Sequence, residues 1–277
     1  MKSEALSSAV LRTFLRPVAF AVLTALIPAV AFGGKPADAA KEKPVEVRVL
    51  PLGEAPRLVM HVEDGRYVQS PYKPGEAPPS VLYVADAKEP KPVRLGLNRA
   101  IKVPGGVKAS DRISFGTREA GETAPLTPWC EAPVPKDCRR LLVMLSPSTD
   151  AQWNRPVVQT MDISPRCLAG PGVYLLNAGS FPLVGQLGSV PVNLFPGRSL
   201  FIPSESLPEA HVVFRCASFL KEGSYSAEID RTVPVPADAV DFLVIYPCKS
   251  VPGRRVAVSE FSEHVAAPAG ERVAANP

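Results

Sequence analysis

The chain has 277 residues, of which 46% are apolar and 21% charged, and its formal net charge is +4 at pH 7. This length suits one large or two modest domains, each able to bury a core of its own. The chain is only weakly basic and has no dense Lys/Arg run interleaved with aromatic residues, which argues against a nucleic-acid-binding protein. Proline is the unusual component, with 32 residues. It lacks a backbone donor and therefore interrupts helices and central strands.

Residues 1–31 are predicted to be a signal peptide. Three basic residues precede an apolar stretch over 18–27, and Ala29-Val30-Ala31 supplies the small residues that signal peptidase reads. We expect cleavage after Ala31; cleavage after Ala39 and retention as an N-terminal anchor are the alternatives. The stretch is shorter than the roughly 20 apolar residues of a membrane span, and no later segment is long enough. We therefore expect an exported protein, periplasmic or extracellular, without a membrane span after cleavage.

Loss of the signal peptide removes three positive charges and one negative charge, so the formal charge falls from +4 to +2. A flexible lead is expected over 32–44. Beyond it, short runs rich in Val, Leu, Ile, Phe and Tyr alternate with Pro and Gly at intervals of roughly 8–12 residues, which is typical of a β-sandwich or barrel. The strands predicted before residue 164 are 45–50, 57–62, 80–85, 93–97, 101–103, 112–116, 141–145 and 156–163.

A Pro-rich connection is expected over 67–79, and the continuous apolar run 141–145 indicates a central strand covered on both faces. Residues 164–172 are rich in Pro and Gly and are predicted to be a linker between domains at 45–163 and 173–251. The strands predicted after the linker are 173–177, 181–187, 190–195, 199–202, 211–219, 225–229 and 242–246. Residues 252–277, rich in Ala, Pro and charge, are predicted to be a disordered tail.

An eleven-residue motif occurs twice. Pro133–Val143 recurs as Pro234–Val244, with six identical positions and no gap. Internal repetition of this kind predicts a repeated architecture. The predicted fold class is therefore all-β, with two tandem small immunoglobulin-like β-sandwich domains related by internal duplication. The alternative is a single continuous β-domain in which two Pro-capped strands happen to be similar.

Two further features concern the repeat. Pro104-Gly105 is expected to take the place of Pro196-Gly197, with loop insertions absorbing the change in offset. Asp137 and Asp238 stand where an Asx-type turn would satisfy backbone donors ahead of a strand. We interpret these two residues as structural; a pair of equivalent ligand-binding carboxylates is the alternative.

Five cysteines follow the signal, and an exported chain meets oxidising conditions. Cys130 and Cys138 flank a short loop and form one predicted disulfide. Cys216 and Cys248 lie at or near strands of the second half and form the other, which leaves Cys167 over. Spacing alone does not decide among the fifteen ways of making two bridges, and the alternative is that some cysteines are small buried side chains.

Catalytic signals are few. His61, His211 and His264 are not spaced as metal ligands, and the chain has no Cys-x-x-Cys, nucleophile elbow or phosphate-binding glycine loop. We therefore predict no catalytic residue, metal or cofactor. The enzyme alternative is a hydrolase whose site assembles in space, with His61 or His211 beside a Ser, Asp or Cys.

Trp129 and Trp153 lie in expected loops and are the candidate partner-contact residues. Exposed aromatic side chains can anchor a partner protein or stack on a sugar. The alternative for both is packing against the edge of a sandwich. The predicted partner is accordingly an unknown protein or polysaccharide, and no nucleic acid is expected.

The run Gly172–Gly179, followed by Phe181–Val184 and then Pro196-Gly197, resembles the opening of secreted bacterial β-sandwich repeats in the domain-of-unknown-function family numbered 4397. The first copy departs from it, with Ala85-Asp86-Ala87 in place of Asn177-Ala178-Gly179. The resemblance implies an immunoglobulin-like sandwich of the cell envelope and no catalytic residues. The sequence as a whole predicts an exported, non-catalytic envelope protein that serves as a structural or protein-interaction module.

Overall fold

The computed structural model describes residues 44–85, 90, 92–108, 110–118, 124–148, 152–219, 225–249 and 254–265. All of these residues belong to one compact unit, 41–277. The predicted signal peptide and all but the last residue of the predicted lead lie outside the described residues. The described part of the chain is all-β, with two short 3-10 turns at Pro165–Cys167 and Ser204–Ser206. None of its helices has the length and apolarity to cross a membrane.

Ten strands precede the predicted linker, and we call this part the N-terminal half. They are β1 Glu46–Pro51, β2 Met60–Glu63, β3 Arg66–Gln69, β4 Val81–Val84, β5 Pro92–Arg94, β6 Ile101–Lys102, β7 Arg112–Thr117, β8 Thr127–Pro133, β9 Arg140–Ser146 and β10 Val157–Asp162. Eight strands follow it in the C-terminal half. They are β11 Gly172–Asn177, β12 Leu183–Leu187, β13 Val190–Leu194, β14 Ser199–Pro203, β15 His211–Phe219, β16 Tyr225–Pro234, β17 Ala239–Pro247 and β18 Val256–His264.

The two halves use the same strand order. The N-terminal half has sheets β5-β4-β7-β8 and β10-β9-β1-β6, and the C-terminal half has sheets β13-β12-β15-β16 and β14-β11-β17-β18. Matching β1 with β11, and β4–β10 with β12–β18, makes the two sets equivalent. The central pairs β1–β9 and β11–β17 are parallel in both halves, and the other pairs are antiparallel. Among the described residues only the hairpin β2–β3 has no counterpart.

Three hydrophobic cores hold these sheets together. The first contains side chains from both N-terminal sheets, including Val47 and Phe115, and the second contains side chains from both C-terminal sheets, including Phe214. The third, the shared core, joins β1 and β9 of one half to β11 and β17 of the other. At its rim Arg48 forms an ion pair with the buried carboxylate of Glu263 on β18. The four four-stranded sheets are therefore packed as four layers.

Strand β9 shows why its sequence is apolar without alternation. Leu141 and Val143 face the N-terminal core, whereas Leu142 and Met144 face the shared core. Successive side chains of a strand point to opposite faces, and here both faces are covered. The prediction of a central strand at 141–145 is confirmed.

Three regions differ from the sequence prediction. Tyr67–Gln69, assigned to a connection, belongs to strand β3, since an Asp-Gly turn folds this segment back on β2. Thr127–Pro133 was not predicted as a strand, yet β8 is an edge strand of its sheet, where proline is tolerated. Val256–His264, assigned to a disordered tail, is β18 and pairs with β17 along its whole length. It also carries Arg48's partner Glu263, so the second β-region extends past the predicted end at residue 251.

The repeated motif begins at equivalent places in the two halves. Pro133 pairs with the first residue of β7, and Pro234 pairs with the first residue of β15. The next residues, Val134 and Val235, each donate an N–H to the carbonyl just before that strand, both at 2.9 Å. The first part of the motif therefore does the same structural work twice.

The later part of the motif has different structural roles in the two halves. Asp137 has a left-handed backbone conformation with φ of 58°, and Asp238 does not. The next strand starts at Arg140 in one half and already at Ala239 in the other. As a result Leu142 faces the shared core, whereas its aligned residue Leu243 faces the C-terminal core. The strands β9 and β17 are thus shifted by one residue relative to the alignment of the motif, and such a shift turns every side chain to the other face of the sheet. Identical residues in this part of the motif therefore make different contacts.

The predicted equivalence of Pro104-Gly105 and Pro196-Gly197 is wrong. Gly197, with φ of 68°, donates its N–H to the carbonyl of Asn177 at the end of β11. In the N-terminal half Asn98, with φ of 58°, makes the same bond to Pro51 at the end of β1. Asn tolerates the left-handed region nearly as Gly does, which hid the correspondence from sequence comparison. Pro104-Gly105 instead follows β6.

Candidate functional site

The hairpin formed by β2 and β3 is the candidate functional site, and we call residues 57–72 the arm. Asp64 and Gly65 turn the chain with φ values of 50° and 75°, the backbone that a two-residue type I′ hairpin requires. Met60 then pairs with Gln69 and Glu63 with Arg66. The two strands pair only with each other, and every residue from Arg57 to Gln69 is exposed.

One face of the arm is apolar. Side chains alternate between faces along a strand, so Leu58, Met60 and Val62 share a face, and the partner of Val62 on that face is Tyr67. Their exposed fractions are 66%, 51%, 63% and 79% in that order. This alternation is typical of a strand with one face against a core, yet here the face is open. Large contiguous apolar patches on a protein surface mark interaction sites.

The opposite face carries Val59 and Val68 as well as polar side chains, and it places three reactive groups together. His61 Nδ1 lies 2.9 Å from the hydroxyl oxygen of Ser70, and His61 Nε2 lies 3.7 Å from a carboxylate oxygen of Glu63. This is the neighbourhood that the hydrolase alternative requires. However, the His61 and Glu63 side chains are 46% and 64% exposed, whereas a hydrolytic triad relies on a buried carboxylate and preorganised oxyanion donors. The open arm gives this set no such environment.

The two tryptophans proposed as partner contacts pack into the N-terminal half. Trp153 is 2% exposed and belongs to the N-terminal core. Trp129 is half-buried against the same core, and its indole N–H donates to the carbonyl of Trp153 at 2.9 Å. A ring buried in this way cannot stack on a sugar or anchor a partner. The packing interpretation therefore describes Trp153, whereas the contact role of the half-buried Trp129 stays a prediction.

The predicted disulfides are not formed in the structure, and all five cysteines lie in its described part. Cys130 is half-buried on β8, and burial followed by the charge of Glu131 raises the pKa of its thiol to about 12. Cys216 faces the C-terminal core, where burial and then Glu228 raise its thiol pKa to about 12. Cys138 is buried and hydrogen-bonds to Asp162, and Cys248 is also buried.

A buried polar network was not predicted. Strands β15 and β16 shift register after Cys216, and Glu228 is the extra residue of this bulge. Glu228 is 2% exposed and accepts hydrogen bonds from the Ser218 hydroxyl and the Arg255 backbone N–H. The Arg255 guanidinium also lies 4.1 Å from the ring centre of Phe181. Each of these groups has a partner within the C-terminal half, so the network satisfies the buried carboxylate of Glu228.

The arm itself had a sequence signal that the predictions missed. Asp-Gly between two runs of alternating residues is the strongest short-range sign of a hairpin, and Asp64-Gly65 has that setting. The apolar face follows from the same alternation. The sequence does not show that this apolar face is left uncovered.

Within the described residues, no group of three or more His, Cys, Asp or Glu side chains is placed to hold a metal ion. No protein-family model matches the chain, and no curated protein matches it. The arm, with its exposed apolar face and the opposite face that carries His61, Glu63 and Ser70, is therefore the feature from which function is argued.

Proposed function

We propose that this protein is an exported, non-catalytic interaction module of the cell envelope, built as two tandem immunoglobulin-like β-sandwiches related by internal duplication. The equivalent strand orders of the two halves support the duplication, and the N-terminal residue pattern supports export. The observation that supports the interaction function is the arm. Its apolar side chains are exposed, whereas the apolar faces of the other sheets pack against a core.

The size of the arm limits how it can bind. Strands rise about 3.3 Å per residue and lie about 4.8 Å apart, so one face of these four-residue strands covers roughly 13 by 10 Å. A stable interface buries about 800 Å² on each partner. A flat contact between the arms of two copies would fall well short of this area. A groove that encloses both faces and the strand edges would bury far more, so the partner we propose is a different protein with such a groove.

The charges and the open strand edges of the arm indicate what kind of partner surface it can bind. Arg57 and Arg66 balance Glu63 and Asp64, so the arm favours neither an acidic nor a basic polymer. The outer edges of β2 and β3 pair with no other strand, and an open edge can add a strand from another chain. The proposed groove is thus lined with apolar side chains and offers a strand edge to the arm.

Site-specific photo-crosslinking tests this proposal. A photoreactive phenylalanine derivative replaces Tyr67 on the arm or, as the matched control, Tyr225, which is 58% exposed in the C-terminal half. Each full-length protein is irradiated in the envelope fraction of the cells that produce it. We expect a discrete adduct from position 67, suppressed at least fivefold by excess unlabelled protein but not by the variant Leu58→Ser/Val62→Ser.

Two results would overturn the proposal. Equal adduct patterns from positions 67 and 225 would show that the arm has no specific partner. An adduct of twice the chain's own mass would show that the arm contacts a second copy instead of a different protein.

A further inference from the structure

Hydrogen bonds hold together two segments of the N-terminal half: the loop that follows β8 and the turn that follows β10. The hydroxyl oxygen of Ser164 accepts the backbone N–H groups of Arg139 and Arg140, at 2.8 and 3.0 Å. The guanidinium of Arg166 donates to the carbonyl of Lys136 at 3.1 Å. The loop that leads into β9 is thereby fastened to the 3-10 turn over Pro165–Cys167 that leads toward the C-terminal half.

Each of these segments carries a cysteine, and both thiols meet the same carboxylate. The Cys138 thiol lies 3.4 Å from a carboxylate oxygen of Asp162, and the Cys167 thiol is near enough to the same carboxyl group to lower its pKa. Asp162 further accepts the Ser164 N–H at 2.9 Å and the Arg166 guanidinium at 3.1 Å. Two sulfurs held against one carboxylate by two fastened segments are neighbours, although 28 residues separate them along the chain.

We propose that Cys138 and Cys167 are the disulfide-forming pair of this protein. The co-reactant is a disulfide R–S–S–R, either a small molecule such as oxidised glutathione or the active-site disulfide of a thiol oxidase. This assignment replaces both pairs predicted from spacing and accounts for Cys167, which that scheme left over. It is independent of the arm and of its partner.

The order of reaction follows from exposure. Cys167 is exposed and Cys138 is buried, so Cys167 meets the co-reactant first. Its thiolate attacks one sulfur of R–S–S–R, forms the mixed disulfide and releases R–S⁻, which takes up the proton that Cys167 lost. The Cys138 thiolate then attacks the Cys167 sulfur and displaces the second R–S⁻, which takes up the proton from Cys138. Two protein thiols are oxidised, and one disulfide is reduced to two R–SH.

Burial and the neighbouring carboxylate together make the reduced pair slow to react. Burial, and then the charge of Asp162, raise the thiol pKa of Cys138 to about 12. Burial, and then hydrogen bonding to Asp162 and its charge, raise the thiol pKa of Cys167. The thiolate is the attacking species, so exchange at neutral pH is slow and speeds up as the pH rises. Once formed, the bond would join the loop before β9 to the segment that connects the two halves.

Peptide mapping of the full chain tests the assignment. The folded protein is incubated with oxidised glutathione at pH 8, alkylated and digested with trypsin. Cleavage after Lys136, Arg139 and Arg166 places the two cysteines in peptides 137–139 and 167–198. We expect these peptides to be linked in most molecules, and the link to disappear in Cys167→Ser but persist in the matched variant Cys130→Ser.

The peptide map of the wild-type protein tests the Cys138–Cys167 assignment even where a variant fails to fold. A dominant Cys130–Cys138 or Cys216–Cys248 link in the folded protein would overturn the assignment. So would a product in which Cys167 carries glutathione and Cys138 is alkylated, since that result would show that Cys138 cannot reach the mixed disulfide.

Discussion

Replacement of Phe242 by alanine would empty the middle of the shared core. Phe242 is fully buried and lies on β17, the strand next to the central β11. Its ring stacks on Phe261 with centroids 4.6 Å apart and on Tyr174 with centroids 5.3 Å apart. The substitution therefore removes packing atoms between the inner sheets and two aromatic contacts at once.

The expected loss is large for a single site. A buried Phe→Ala change costs about 3–5 kcal/mol, a range that already includes the ring contacts of the side chain. Because Phe242 makes two aromatic contacts, each worth about 0.5–1.5 kcal/mol, we expect the upper end of that range, about 4–5 kcal/mol, against a total stability of about 5–15 kcal/mol for a folded domain. The loss falls on the C-terminal half, which supplies both aromatic partners. The matched control Phe195→Ala removes a ring that is 63% exposed and should cost less than about 0.5 kcal/mol.

Denaturant unfolding followed by two signals separates the halves. Trp129 and Trp153 are the only tryptophans, and both lie in the N-terminal half, so fluorescence reports that half, whereas far-UV circular dichroism reports all strands. We expect coincident curves for the wild type, because the shared core couples the halves. In Phe242→Ala the dichroism curve should begin its transition at lower denaturant than fluorescence. A loss no larger than that of Phe195→Ala would refute the packing argument, and a large loss with coincident curves would refute the separability of the halves.

Three further predictions concern single residues. Burial alone would raise the pKa of Asp162, but hydrogen bonds from Ser164 and Arg166 outweigh it and lower the pKa from 3.8 to about 2; the stability this carboxylate contributes is thus present above pH 4 and is lost as the pH falls toward 2. Acid titration of stability should show up to about 2 kcal/mol less acid loss in Asp162→Asn than in the wild type. A Cβ on Gly185 would lie 2.0 Å from the carbonyl oxygen of Arg215 on the paired strand, so Gly185→Ala should cost about 1–3 kcal/mol in urea unfolding. Ser70 should react with a fluorophosphonate probe no faster than serines elsewhere on the surface, since its neighbour His61 is exposed and has no buried carboxylate behind it.

Each of these has a contrary outcome. Equal acid sensitivity in Asp162→Asn and the wild type would show that the carboxylate does not stabilise the folded state. A Gly185→Ala protein as stable as the wild type would show that β12 and β15 can move apart at this point. Labelling of Ser70 that stops in both Ser70→Ala and His61→Ala would show an activated nucleophile and favour the hydrolase alternative.

The sequence predicted what depends on local pattern. The run 141–145 is apolar at every position, and only a strand covered on both faces has that requirement. Strand β18 has no such pattern, because its buried residues include Ser259 and Glu263. The Glu263 carboxylate is buried only because Arg48, more than 200 residues earlier in the chain, meets it. A strand whose burial depends on a distant charge partner looks like a charged tail when it is read alone.

The same limit applies to the cysteines. Spacing favoured Cys130 with Cys138 because only seven residues separate them, and distance along the chain was the one geometric quantity that the sequence offered. The structure instead places Cys138 beside the turn that carries Cys167, through the hydrogen bonds that Ser164 and Arg166 make to the loop before β9. These bonds join the segment before β9 to the segment after β10, and no local sequence pattern predicts them.

The arm stands at the one place where the described topologies of the two halves differ. The C-terminal half passes from β11 to β12 through residues 178–182, and its core is complete with that short connection. The N-terminal half makes the same step from β1 to β4 through residues 52–80, which include the arm. Because the shorter connection suffices for folding, the arm is not required to build the sandwich. Its open apolar face has no structural task among the described residues, and binding to another protein is the task that its shape and neutral charge support.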